Sequence, residues 1–85
     1  MIIHLHKNFL KGYKKLKESQ KKKFKERRDL FILDEYNPIL NNHALSGRYT
    51  GYRSINITGD IRAIYKKVGE LSIFAAIDKH SNLYG

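Results

Sequence analysis

The sequence contains no cysteine, which rules out a disulfide framework and any thiolate metal site and fits a reducing compartment. No stretch approaches the roughly 20 apolar residues that span a bilayer. The opening residues Met1 to His6 lack the apolar core of a signal peptide. A cytoplasmic protein without membrane contact is therefore expected. There is also no serine-centred nucleophile elbow and no glycine-rich phosphate loop, so acyl transfer and nucleoside triphosphate chemistry have no support. His43 and His80 have no HxH or HExxH partner, and His4 and His6 share the amino-terminal segment with no acid nearby. Neither a metal nor any other cofactor is expected.

Acidic residues are scarce as well: eight Asp or Glu face seventeen Lys or Arg, for a formal net charge of +9. Between Lys7 and Arg28 eleven basic residues stand against two acids, Glu18 and Glu26, so the whole excess lies in one segment. A basic face of that density attracts a polyanion through counterion release, and nucleic acid is the first candidate. Lys14, Lys21, Lys22, Lys25 and Arg28 are the contacts expected within it.

With 85 residues the chain is expected to form one domain, 1–85, with a small core and no internal repeat. Ile3 and Leu5 point to a short first strand. Phe9, Tyr13 and Leu16 recur at helical spacing and predict a helix over about residues 8 to 18, weakened by Gly12. A break at Ser19 or Gln20 precedes a second helix, from about 20 to 36, with Phe24, Phe31, Leu30 and Leu33 on its apolar stripe. It should stop before Asn37 and Pro38, because a residue preceding proline is pushed out of helical geometry. Ile39 and Leu40 are expected to anchor the following loop.

Ile55 and Ile57, then Ile61, Ala63 and Tyr65, alternate with polar neighbours about Thr58-Gly59-Asp60, which predicts an antiparallel hairpin. Leu71, Ile73, Ala75 and Ile77 alternate with Ser72, Phe74 and Ala76 as a last strand. The expected fold class is α+β: an amino-terminal strand, a two-helix hairpin, and a three-stranded antiparallel meander, β-α-α-β-β-β, with the helices on one face of a four-stranded sheet. Tyr65 is expected in the core.

The second half of the chain gathers His43, His80, Asp60, Arg53, Arg62 and several tyrosines. That inventory fits metal-free RNA cleavage. His or Asp serves as acid and base around a ribose 2′-hydroxyl and a leaving 5′-oxygen, and arginine steadies the phosphorane. Arginine within a strand is costly unless its face is solvated or meets an anion, which favours a phosphate role for Arg62. Arg53 is expected either beside it on the phosphate or paired with Asp60 or Asp78. Tyr52 and Tyr84 are candidates for stacking on bases.

Four separated pieces, His43-Ala44-Leu45-Ser46-Gly47, Gly51-Tyr52-Arg53, Gly59-Asp60-Ile61-Arg62-Ala63-Ile64-Tyr65 and Lys79-His80-Ser81-Asn82-Leu83-Tyr84-Gly85, resemble the carboxy-terminal half of the YafQ branch of RelE-type toxins from toxin-antitoxin systems. The resemblance implies a ribosome-dependent mRNA endoribonuclease that cuts mRNA, binds the ribosome and its ribosomal RNA, and is held inactive in a hetero-oligomer with a cognate antitoxin. It places His43, Asp60 and His80 on the family's acid and base positions, Arg62 on its phosphate-stabilising arginine and Tyr84 on its terminal aromatic. Where the family pattern has an acid and then a histidine, this chain has Ser54 and Asn56, and Ile61 replaces an aromatic. Asn56 is expected to bind substrate by hydrogen bonding, but it cannot carry a proton at neutral pH. Two other functions compete: a ParE-like gyrase inhibitor without nuclease activity, and a catalytically weak RNA-binding module.

Overall fold

The computed structural model describes residues 1–84. Gly85, the last residue of the family-like motif, lies outside the described residues. In chain order the elements are β1 (Ile2–Leu5), α1 (Lys7–Lys14), α2 (Glu18–Leu33), β2 (His43–Ala44), β3 (Arg53–Asn56), β4 (Ile61–Val68), β5 (Leu71–Lys79) and α3 (His80–Tyr84), with single 3-10 turns at Pro38–Leu40 and Gly47–Tyr49. The sheet order is β1-β5-β4-β3-β2. β1 runs parallel to β5, and the other neighbours are antiparallel. The α+β class and the meander are as expected. The sheet gains a fifth strand, because two residues at His43 pair with Ser54 and Arg53.

The helices differ in their limits. α1 ends at Lys14, and the break falls at Lys15 to Lys17 rather than at Ser19 or Gln20. Ser19 and Gln20 instead form the first turn of α2, where the Gln20 side-chain oxygen accepts from the Lys17 N–H at 3.0 Å and satisfies one of the orphan donors of the helix start. α2 stops at Leu33, short of residue 36, because Glu35 is drawn down onto the sheet by Tyr65 and Lys67. Leu33, expected in the apolar stripe, is 86% exposed. Of the two proposed loop anchors, Leu40 is fully buried and Ile39 is exposed.

The core lies between the helices and one face of the sheet. Phe9 of α1 and Phe24 and Phe31 of α2 meet Ile55, Ile57, Ile61, Ala63, Tyr65, Phe74 and Ile77. Their rings interlock at 4.8 to 6.1 Å, mostly edge to face, as quadrupolar rings prefer. Tyr65 is fully buried there, as expected.

In β5 the strict alternation fails. The register jumps between Ile64 and Tyr65, so that Tyr65 faces Phe74 while Ile64 faces Ala76. Ala75 is bulged out of the pairing, which lets Phe74 and Ile77 enter the same core although they are three residues apart. Beyond the bulge, Ala76 and Asp78 turn to the opposite, open face. No helix among the described residues is long and apolar enough to cross a membrane.

Candidate active site

The open face is read directly from the pairing, since directly opposed residues share a face. One row across it is Asn56, Arg62 and Asp78. The next is His43, Ser54, Ile64 and Ala76, of which Ser54 and Ile64 are fully buried, so this face is open only towards the Arg62 row and the β2 edge. Arg62 is half-buried, and its Nη1 donates to the carbonyls of Thr58 at 2.9 Å and Ile61 at 3.2 Å. No carboxylate pairs with it among the described residues. Its cross-strand neighbour Asp78 uses one carboxylate oxygen, Oδ1, to accept from the Lys79 N–H at 2.7 Å and from Asn82 Nδ2 at 3.0 Å at the start of α3. The remaining guanidinium donors of Arg62 are left for an anion.

His80 is brought to this row by its backbone, whose N–H donates to the carbonyl of Asp60 at 2.8 Å and ties the carboxy-terminal segment to the tip of the β3-β4 hairpin. The exposed imidazole lies 4.8 Å from the ring of Tyr84, one turn on in α3. Asp60 is exposed on the turn itself, where Thr58 Oγ1 accepts from its N–H at 3.2 Å. Asn56, Arg62 and Asp78 thus share one row, with Asp60 and the start of α3 at His80 next to it along the chain.

His43 stands apart, on the edge strand β2. Two strand spacings separate it from β4, about 10 Å. Its Nδ1 lies 2.8 Å from the carbonyl of Asn41. A carbonyl only accepts, so Nδ1 carries the proton and the Nε2 lone pair is free to take one.

Arg53 is not beside Arg62. It has the parity of Ile55 and faces the helix side, where its Nε donates to Asn42 Oδ1 at 2.7 Å and its guanidinium lies 5.3 Å from the ring of Tyr36. Neither Asp60 nor Asp78 pairs with it. Asn42 also donates from Nδ2 to the Glu35 carbonyl at 3.0 Å and to the Tyr65 hydroxyl at 2.7 Å, and that hydroxyl donates to Glu35 Oε2 at 2.7 Å. Lys67 closes the network on Glu35 Oε1 at 2.9 Å. This lattice holds the loop that ends in His43, and Arg53 belongs to it.

Burial raises the carboxyl pKa of Glu35, but the hydrogen bonds from Lys67 and Tyr65 together outweigh it and leave the group below its ordinary value of 4.5. Burial, reinforced by the bond to Glu35, pushes the Tyr65 hydroxyl up. A depressed carboxylate stabilises the fold fully above pH 4.5, and that contribution is lost as the pH falls through the lowered value. Glu35→Gln should therefore cost about 1 kcal/mol at neutral pH, or about 4–8 °C in melting temperature for a domain of this size. It should also flatten the acid limb of a stability profile followed by circular dichroism.

The basic segment covers the helical layer. Lys14, Lys22 and Lys25 are exposed and have no acidic partner among the described residues. Lys21 pairs with Glu18 at 3.4 Å and Arg28 with Asp29 at 3.0 Å, which leaves both less available than the sequence implied. Two residues missed as site candidates, Lys23, which pairs with Glu26 at 3.3 Å, and Arg27, line a groove of about 330 Å³ that runs from α2 to Asn56 and the hairpin tip. Helical spacing alone gives no sign of which basic residues overhang a distant turn. Among the described residues no three His, Cys, Asp or Glu gather as metal ligands.

A five-stranded mixed sheet covered on one face by two helices matches the fold of RelE-like toxins. The family model for the bacterial toxin of type II toxin-antitoxin systems, YafQ, matches residues 1–85, and the chain belongs to that family. Among solved structures, YafQ from E. coli strain BL21(DE3) is 26% identical with a TM-score of 0.78, over 98% of this chain and 97% of that one. The toxin in the E. coli DinJ-YafQ complex is also 26% identical, with a TM-score of 0.76 over 98% and 97%. A YoeB/ParE toxin from Agrobacterium tumefaciens shares the fold at 16% identity, with a TM-score of 0.77 over 94% and 99%. A comparison with curated protein sequences finds no match.

Proposed function

We propose that this toxin is a metal-independent endoribonuclease that cuts mRNA on the ribosome in the cytoplasm and is silenced by a cognate antitoxin. The observation that carries the reading is Arg62. A half-buried guanidinium, fixed by two backbone carbonyls and without an acidic partner, is arranged to receive a phosphate. In the reaction a base takes the proton from the ribose 2′-hydroxyl, whose oxygen attacks phosphorus. The bond to the 5′-oxygen breaks, and that oxygen receives a proton from the acid, leaving a 2′,3′-cyclic phosphate and a 5′-hydroxyl. Arg62 stabilises the phosphorane as its negative charge grows.

His80, beside Arg62, transfers a proton at the scissile phosphate, with Asp60 orienting or sharing protons from the turn. His43, exposed on the edge strand, acts as base on RNA that passes the β2 edge of the sheet. Asn56 holds a ribose or phosphate oxygen without exchanging protons. Arg53 serves by fixing Asn42 and the His43 loop rather than by touching phosphate. Tyr84 stacks beside His80. The exposed lysines of the helical layer supply affinity for ribosomal RNA without sequence choice.

The direct test is primer extension on mRNA from cells pulsed with the wild-type toxin beside His80→Ala. Cuts in translated frames that vanish in the variant are expected. An uncut message in growth-arrested cells would remove the nuclease reading and direct attention to DNA gyrase.

A further inference from the structure

Asn41 is the one non-glycine residue at positive φ among the described residues, at φ 45° and ψ 48°. It ends the 3-10 turn Pro38–Leu40, and its N–H donates to the Pro38 carbonyl at 3.1 Å. Left-handed backbone is costly for an L-residue, less so for Asn than for most, and it persists where the surroundings over-determine it. Here the turn aims the Asn41 carbonyl at the His43 ring, 2.8 Å from Nδ1. That carbonyl belongs to the peptide whose nitrogen is that of Asn42, so whatever grips Asn42 also fixes the acceptor of His43.

Asn42 is gripped at both polar atoms of its side chain. Oδ1 accepts from Arg53 Nε, while Nδ2 donates to the Glu35 carbonyl and the Tyr65 hydroxyl. The amide has one orientation, because flipping it would set its N–H groups against the guanidinium. The partners are anchored in turn. The Tyr65 ring is fully buried against Phe31 and Phe74, at 4.8 and 5.3 Å, and the Glu35 carboxylate is held by Tyr65 and Lys67. His43 itself is exposed, and its ring has no other hydrogen bond among the described residues. A neutral imidazole acts as a base through whichever nitrogen lacks the proton, and the hydrogen bond at the other nitrogen decides which that is. Released from the Asn41 carbonyl, the proton is free to sit on Nε2, where it occupies the lone pair that a base needs.

We propose that Asn42 is a positioning residue for His43. Held by Arg53, Tyr65 and Glu35, it fixes the Asn41–Asn42 peptide, which keeps the His43 proton on Nδ1 and leaves Nε2 to take the ribose proton. As the ring becomes charged, its Nδ1–H stays on the Asn41 carbonyl. The task of His43 rests on the endoribonuclease reading, but the state of its ring is measured without RNA.

The experiment reads the histidine tautomers of the whole chain by nitrogen NMR of ¹⁵N-histidine, under mildly alkaline conditions where an ordinary imidazole is neutral. Wild-type His43 should show the Nδ1–H tautomer. In Asn42→Ala its signals should move towards the Nε2–H form, and in Tyr65→Phe, which keeps the buried ring and removes only the hydroxyl, part of the way. The signals of His4 and His80 should stay in place. Single-turnover cleavage on programmed ribosomes should slow about tenfold to 10²-fold at saturation in Asn42→Ala, the cost of a misplaced group, with the half-saturating concentration unchanged. An Asn42→Ala chain that fails to fold leaves the decision to Tyr65→Phe. A His43 ring that is Nε2–H in wild type, or that stays Nδ1–H in the folded variants, overturns the proposal. So does a cleavage loss that appears only in the half-saturating concentration. Full cleavage by a variant whose tautomer has moved removes Asn42 from positioning and keeps the nuclease. A tautomer that moves in a toxin that cuts no message keeps the hold on His43 and removes the nuclease.

Discussion

His80→Ala should lower cleavage of mRNA on programmed ribosomes by about 10²- to 10⁴-fold, the usual contribution of a positioned proton-transfer group. The geometry makes this loss separable from unfolding. His80 is exposed, and its tie to the hairpin tip is the backbone N–H to the Asp60 carbonyl, which alanine keeps. The side chain's one aromatic contact is with Tyr84 at 4.8 Å, worth about 1 kcal/mol at most for a pair so accessible to solvent. The melting temperature should therefore fall by no more than about 4–8 °C while the rate collapses. His80→Gln separates two roles of the ring: glutamine still hydrogen bonds but does not transfer protons at neutral pH. Recovery of most activity in the glutamine variant would make His80 a positioning residue, and an unchanged single-turnover rate in the alanine variant would take it out of the reaction.

Gly12→Ala should destabilise the fold by about 2 kcal/mol or more, although alanine is the better helix former by about 1 kcal/mol. α1 lies so close to β5 at this point that a methyl group on residue 12 would overlap the carbonyl oxygen of Ile77 and meet Ile77 Cγ2 at 3.4 Å. The obstacle is backbone, which has no rotamer into which to retreat, so relief requires lifting α1 away from the strand. Phe9, three residues earlier and fully buried, would be lifted with it, opening contacts with Phe24 and Phe74. Thermal unfolding should show a drop of roughly 10 °C. A rise in melting temperature, as helix propensity alone would give, would mean that α1 does not approach β5 this closely. Gly12 looks like a weak point of its helix in sequence, and in the fold it is the residue that admits the helix to the sheet.

How far the rest was readable depends on the range of the interaction. The paired isoleucines about Thr58-Gly59-Asp60 report a hairpin because alternation and turn chemistry are local, and the hairpin is there. Leu33 shows the limit of that logic. It has helical spacing with its neighbours, yet it is exposed because α2 ends beneath it and Glu35 turns towards Tyr65. β5 shows it again, since the bulge at Ala75 is imposed by the partner strand and leaves no mark in an unbroken run of β-compatible residues. Arg53 and Arg62 look alike in sequence, but they are an odd number of residues apart on antiparallel strands and fall on opposite faces. Asn42 passed unnoticed because its meaning depends on Arg53 and Tyr65, 11 and 23 residues away.

By itself the sequence determined the class of fold, the placement of its positive charge in one helical segment, and the family motifs, since each follows from neighbours in the chain or from a count. Only the tertiary structure decided which arginine faces an anion, which basic residues overhang the hairpin tip, and which side chains grip the loop at His43. Strand register, a bulge and one helix-sheet approach set those positions, and each is chosen by the packing of both partners together rather than by either stretch of chain alone.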